Sequence, residues 1–234
     1  MGKMTRPVVA MMARAPSSEG KSRLIRDLGT SDGAGLRLAF LRDTFESVSA
    51  LRATKAVLYT PPECEAEMRA LTPFPAVFRP QRGATLGDRM RDGAGDLLAS
   101  GFDAVVLIGS DLPTLPLAHV IAALGILTRR AEVLVLGPAE DGGYYLIGLN
   151  QSRPELFTRI PWGTSLVLQR TRDAAEALGI PVETLPMWYD VDSPSDLRRA
   201  WHSSAKPDGT ARHTRAWLAA APPAVWARVD RETM

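Results

Sequence analysis

Four short stretches hold the residues that could do chemistry. Gly109-Ser110-Asp111-Leu112-Pro113 places a carboxylate directly after Ala104-Val105-Val106-Leu107-Ile108, a run that is apolar at every position. An acidic residue at the carboxyl end of such a strand sits at the ligand-binding edge of an open sheet. It can hold Mg²⁺ or Mn²⁺, which bind few protein carboxylates and complete their shell from phosphate and water. The competing role is a cap for the next helix, but Pro113 and Pro116 separate Asp111 from that helix. Asp190-Val191-Asp192-Ser193-Pro194-Ser195-Asp196 offers alternating carboxylates. In an extended segment they point to opposite sides, so one of Asp190 and Asp192 reaches a given metal; the same residues also make a good helix start. Arg14, Lys21 and Arg23 gather in and just after a loop of small residues behind the first strand. That suits a di- or triphosphate, although neither GxxxxGK[ST] nor GxGxxG is present. Lastly, residues 137–149 read GPAEDGGYYLIGL. Asp141 beside Gly142-Gly143 is either the lip of a site, where glycine lets a ligand approach the backbone, or a tight turn.

The elements that must position these residues alternate. Pro7–Met12, Lys55–Tyr59, Ala76–Phe78, Ala104–Gly109, Glu132–Leu136, Gly143–Leu149 and Pro181–Leu185 read as strands. Helices are predicted over Ala34–Leu51, Glu63–Leu71, Leu86–Ser100, Leu117–Arg130, Ser165–Leu178 and Asp196–His202, the last capped by Ser193 or Ser195. Strands and helices at this spacing predict a doubly wound, largely parallel sheet. The strands near 132–136 and 143–149 are too close for a helical crossover and predict an antiparallel or mixed excursion. Residues 1–202 form the expected domain; 203–234, rich in Ala, Pro and Arg with Trp217 and Trp226 widely spaced, form an extension expected to dock on it. A net charge of +2 gives no case for nucleic-acid or membrane binding, and the single cysteine, Cys64, excludes an intrachain disulfide or a thiol-metal cluster. With no apolar run of about 18 residues and no signal-peptide pattern, a cytoplasmic location is expected.

Read together, the stretches resemble one family. Ala13-Arg14-Ala15-Pro16 followed by Lys21-Ser22-Arg23-Leu24 is similar to the opening AKAP…KTRL pattern of bacterial nucleotide-diphospho-sugar-transferase-like proteins. Members of that family carry names such as radical-SAM/selenodomain-associated transferase or arsenosugar-biosynthesis glycosyltransferase. Ile108–Pro113, Gly137–Leu149, Ile160-Pro161-Trp162-Gly163-Thr164-Ser165 and Asp190–Pro194 match its later segments in order, so the resemblance runs across residues 7 to 200. It implies an α/β GT-A (Rossmann-like) three-layer fold with a mixed, mainly parallel central sheet. It further implies that Asp111 and Asp192 hold the divalent metal, and that Ala13, Arg14, Lys21, Arg23, Arg82, Gly87 and Asp111 bind the nucleotide. Asp141, Gly142, Gly143, Trp162 and Thr164 would face the acceptor. Ser17-Ser18-Glu19 departs from the Val-Pro-Gly-type loop usual in the family.

Under that resemblance the leading expectation is a metal-dependent glycosyltransferase with Mg²⁺ or Mn²⁺ as cofactor. Asp111 and Asp192 would stabilise the departing diphosphate through the metal, and Asp141 would orient or deprotonate the acceptor. The alternative is a nucleotidyltransferase, because Lys21-Ser22-Arg23-Leu24 also resembles the AKSRL segment of phospholactate guanylyltransferases. A non-catalytic nucleotide-binding module is the third expectation. The expected partners are a nucleotide sugar or NTP and a small-molecule acceptor, with a homodimer as the expected assembly.

Overall fold

The computed structural model describes residues 5–18, 23–203 and 211–231. Seven strands form one sheet: β1 (Pro7–Arg14), β2 (Thr54–Thr60), β3 (Ala76–Pro80), β4 (Ala104–Gly109), β5 (Leu134–Pro138), β6 (Tyr144–Leu149) and β7 (Val182–Thr184). Their order across the sheet is β3-β2-β1-β4-β6-β5-β7. Every neighbouring pair is parallel except β6, which runs antiparallel to both β4 and β5. The short 138–144 connection permits nothing else, since a parallel return needs a crossover of a dozen residues or more.

Strand β4 is apolar throughout because helices cover both of its faces. On β4, Val106 and Ile108 enter the same apolar cluster as Leu41, Phe45 and Val48 of α2 (Gly33–Ser49) and Val120, Ala123 and Leu127 of α5 (Leu117–Arg129). Met68 of α3 (Glu65–Leu71) joins them. The alternate residues Val105 and Leu107 pack with Met90, Ala94 and Leu97 of α4 (Leu86–Ala99) and Ala175 of α6 (Val167–Ala177). All four β4 side chains are at most 2% exposed, as a strand buried on two faces requires. The result is the expected three-layer α/β architecture.

Beyond the sheet lie α1 (Arg23–Leu28), α7 (Pro194–Ser203), α8 (Arg212–Ala220) and α9 (Pro223–Arg231). The sequence reading gave no helix at α1, α8 or α9. It expected the extension to dock and noted Trp217 and Trp226 as its widely spaced large apolar residues. The buried anchors are Leu218, Val225 and Val229, joined to Leu24, Ile25, Leu28, Leu36, Val191 and Leu197, with Trp217 and Trp226 partly buried around them. Asp43 of α2 accepts hydrogen bonds from the backbone N–H of His213 (2.8 Å) and Thr214 (2.8 Å) and from the Thr214 hydroxyl (2.6 Å). It therefore caps α8 from another helix, in place of Ala211, whose side chain offers no acceptor. No described helix is long and apolar enough to cross a membrane.

Candidate functional site

The chain leaves β1 toward β2 and β3 on one side and takes up β4, β6, β5 and β7 on the other. The carboxyl ends of β1 and β4 are therefore the switch point at which open α/β sheets bind ligands. Met12 and Gly109 are aligned there, which brings Arg14 and Asp111 to the same edge. The helix start that could have used Asp111 as a cap has Pro116 at its cap position and no side-chain capping bond.

A cleft of about 310 Å³ opens at this edge, lined by Arg14, Gln81, Arg89, Asp111, Tyr144 and Asp190, among others. That is at the lower end of the volumes of small-molecule sites. A second cavity of about 190 Å³ shares Arg14, Ser110 and Asp111 with it and is completed by Arg37, Asp192 and apolar side chains of α1 and α2. A third, of about 90 Å³, is walled by Glu140, Asp141, Asp190, Asp192 and Asp196. Val191 is buried, and its N–H donates to the Asp111 carbonyl at 3.2 Å. That bond fastens the Asp190–Asp192 segment to the end of β4. The alternation then sends Asp190 into the larger cleft and Asp192 into the smaller one, on two sides of Asp111.

These carboxyls share one electrostatic predicament. Asp111 is exposed at the cleft edge, and the protein packed around its carboxylate partly desolvates it. That desolvation, reinforced by Asp192, raises its pKa to about 6. Desolvation and then the charge of Asp111 and its acidic neighbours raise Asp190 to about 8. Asp192 is raised too, by desolvation and Asp141, with Arg23 opposing. Like charges held together in a cleft are relieved by a cation, and an all-oxygen donor set suits a hard divalent ion. Among the described residues, three ligand atoms lie within 4.8 Å of one another at Asp43, Glu46 and His213 and not at the cleft carboxylates. A cation in the cleft would therefore take two of these carboxylates and fill its shell from phosphate and water. The Asp43 group is a structural junction, with Asp43 capping α8 and Glu46 paired to Arg212 at 2.7 Å.

The remaining sequence-derived residues scatter. Ala13 is buried with its methyl in the core, leaving only its backbone near the cleft. Lys21 lies outside the described residues. Arg23 is exposed at the start of α1. Arg82 turns away to Asp96, its Nη2 donating to both carboxylate oxygens (2.7 and 2.9 Å), while Gln81 and Arg89 line the cleft. Gly87 serves packing: a Cβ there would meet the Trp162 indole at 2.2 Å. Trp162 in turn meets Tyr144 edge-on, with ring centroids 6.3 Å apart. Gly142 has φ +89° and sits against the Ser165 backbone, where a Cβ would come within 2.3 Å of the carbonyl oxygen. Its missing side chain makes room for the chain itself rather than for a ligand. Asp141 accepts the Gly143 N–H at 2.8 Å and borders the acidic cavity. Thr164 holds its own turn through Pro161 and Leu166.

Among the lining residues absent from the sequence-derived set, Asp190 and Arg37 stand out for their charge and position. Asp190 was set aside because alternation admits one partner per metal; the buried Val191 between two acids was the available signal that the segment is pinned. Arg37 lies about one turn into α2 and carries no local signal. It donates to the carbonyls of Pro16 (2.8 Å) and Ser18 (3.1 Å), and burial and Arg14 lower its pKa.

Comparison with known proteins places this geometry. Over 185 residues the chain is 27% identical to a phosphoenolpyruvate guanylyltransferase of Sphaerobacter thermophilus, covering 77% of this chain and 86% of that one. A crystal structure from Desulfovibrio desulfuricans G20, described as a candidate nucleotide-diphospho-sugar transferase, superposes with a TM-score of 0.84 at 29% identity, covering 96% and 99% of the two chains. A cytidylyltransferase from Leptospira borgpetersenii shares the fold, with a TM-score of 0.57 at 11% identity over 98% and 99%. The family model described as "Uncharacterized protein conserved in bacteria (DUF2064)" matches residues 44–164, just over half of the chain, and the protein belongs to that family.

Proposed function

We propose that the protein is a divalent-metal-assisted transferase that takes its donor group from a nucleotide. The observation that carries this reading is the meeting of Arg14, Asp111, Asp190 and Asp192 at the β1/β4 switch point, with raised carboxyl pKa values on the acids. A cation held by Asp111 and one neighbour supplies positive charge where a phosphate leaving group develops negative charge. Arg14 contributes to the same charge, and the larger cleft has the size for a nucleoside.

Two chemistries use these parts. Transfer of a sugar from a nucleotide-diphospho-sugar is supported by the match along Gly137–Leu149 and by the likeness to the Desulfovibrio protein. Transfer of a nucleotidyl group is supported by the likeness to the guanylyltransferase. The test is a thermal-shift panel of NTPs, NDPs and nucleotide sugars, with and without Mn²⁺, on wild type and Asp111→Ala. A true ligand at 100 times its Kd adds about 2.7 kcal/mol. Stabilisation that needs Mn²⁺ and vanishes in the variant is expected; no response to any nucleotide sinks the proposal.

A further inference from the structure

We propose that Glu67 of α3, acting with Arg37 of α2, is a positioning residue: the pair clamps the turn at residues 15–18 and so fixes Arg14 for the phosphates of a nucleotide. This rests on the nucleotide-transferase reading above. It deepens that reading by giving a part in the site to a helix that lines neither of the two cavities at Arg14.

Each residue of the turn is tied down. Ala15 donates its N–H to the Thr60 carbonyl at 2.8 Å, which holds the end of β1 against β2. The Ser18 N–H (3.1 Å) and hydroxyl (2.6 Å) both return to the Ala15 carbonyl and close the turn. Two side chains from outside grip what remains. Arg37 donates to the Pro16 carbonyl at 2.8 Å and to the Ser18 carbonyl at 3.1 Å. Glu67 accepts the Ser17 N–H at 3.0 Å, and its other carboxylate oxygen accepts the Ser17 hydroxyl. A guanidinium on two carbonyls and a carboxylate on an N–H and an O–H match the polarity of alternate residues with charge-assisted bonds. Ser17 is exposed between buried Pro16 and Ser18, so without Glu67 its N–H and hydroxyl turn to water.

The charge of Glu67 and its hydrogen bonds act in opposite directions. Glu67 binds the third residue after Arg14. Its charge also reaches Arg37, whose pKa burial and then Arg14 lower and Glu67 raises. A carboxylate so placed repels an anion at the cations it faces. Its grip on Ser17 favours the same anion, because a turn already set loses less freedom on binding. Electrostatics alone and positioning therefore give opposite signs for the removal of Glu67. The sequence agrees with positioning: Ser17 belongs to the stretch that departs from the Val-Pro-Gly-type loop, and the departure supplies the hydroxyl that Glu67 takes.

The experiment is calorimetric titration of pyrophosphate with Mn²⁺, a diphosphate probe that models both nucleotide sugars and triphosphates. It is run on wild type, Glu67→Ala, Glu67→Gln, Ser17→Ala, the double variant Ser17→Ala with Glu67→Ala, and Asn150→Ala. Glu67→Ala weakens binding about threefold or more although it removes a negative charge. Glu67→Gln loses the charge, keeps an acceptor for Ser17, and binds as tightly as wild type or tighter. Ser17→Ala keeps the N–H bond and falls between wild type and Glu67→Ala; added to Glu67→Ala it changes nothing further. Asn150→Ala removes bonds to Leu127, Arg130 and Val133 at the far end of β6, and binds as wild type does. Glu67→Ala that binds as tightly as wild type, or tighter, overturns the inference. So does Glu67→Gln as weak as Glu67→Ala, because the charge and not the grip on Ser17 then matters. An equal loss in Asn150→Ala overturns it too, by tracing the weakening to stability. If wild type binds neither pyrophosphate nor any nucleotide, the transferase reading itself falls and takes the inference with it.

Discussion

Asp111, Asp190 and Asp192 raise one another's pKa or share the burial that does so, and this has a sign that can be measured. Each keeps its proton to higher pH in the folded chain than in the unfolded one. Between the ordinary carboxyl value of 3.8 and about 8 the folded state binds more protons, so this cluster's contribution to stability falls as pH rises. His119 opposes the trend, since its pKa is lowered by burial and it favours folding as pH rises past its folded value. The difference between wild type and Asp190→Asn removes the histidine from the comparison. The variant's advantage should be small near pH 4 and grow through pH 8. Mn²⁺ should narrow that gap, because relieving the repulsion stabilises wild type more than the variant. A wild type that gains on the variant between pH 5 and pH 8 would contradict the electrostatics drawn here. Of these three acids, Asp111 was legible from its place after an all-apolar strand and Asp192 from family resemblance. Asp190 and Arg37 were not, because their proximity to the cleft depends on a backbone bond and a helix facing that no local pattern encodes.

At the scale of elements, the acidic lip is shaped by glycines that pack against neighbouring chain. The 139–143 turn is closed by Ala139 N–H to the Gly143 carbonyl at 3.0 Å, and the Gly142 carbonyl oxygen accepts the Leu168 N–H at 2.9 Å. Gly142→Ala combines a left-handed residue with a clash against Ser165 backbone, which cannot swing aside as a side chain does. It should cost on the order of 1–3 kcal/mol in urea unfolding, with Asp141 displaced from the acidic cavity. Gly143→Ala has φ outside the left-handed set and meets only the Asp141 carboxylate at 3.1 Å, so it should cost less. Equal losses would show that the turn, not the contact with Ser165, sets the requirement. At the start of α4, Thr85 and Asp88 form a reciprocal capping box, and Thr85→Ala should cost about 1 kcal/mol. Helices α2 to α7 follow the predicted ranges, and α2, α4, α5 and α6 among them run to 11 residues or more. The missed ones are six to nine residues long. In α9 the spacing of Val225, Trp226 and Val229 was a usable signal, obscured by the Ala, Pro and Arg around it.

For the molecule as a whole, the C-terminal helices join the two segments that flank the site. The cluster of Leu218, Val225 and Val229 contains Leu24, Ile25 and Leu28 of α1, which follows the basic loop, and Leu197 of α7, which follows the acidic segment. It also contains Val191, the residue between Asp190 and Asp192. Arg228 donates to the Asp27 carbonyl at 3.0 Å and lies against Gly29, while Trp217 donates to Asp32 at 2.8 Å, at the start of α2. Loosening this cluster should therefore disturb the carboxylates as well as the fold. Leu218→Ala removes a side chain with 0% exposure and should cost 2–5 kcal/mol. Leu127→Ala, at 2% exposure in the cluster under α5 and on another part of the sheet, should cost a similar amount. Stability alone predicts the same behaviour for both. If the extension positions Val191, Mn²⁺ affinity measured where both variants are folded should weaken in Leu218→Ala and hold in Leu127→Ala. Matching affinities in the two would reduce residues 211–231 to a stabilising cover. A selective loss would make them part of how the site is built.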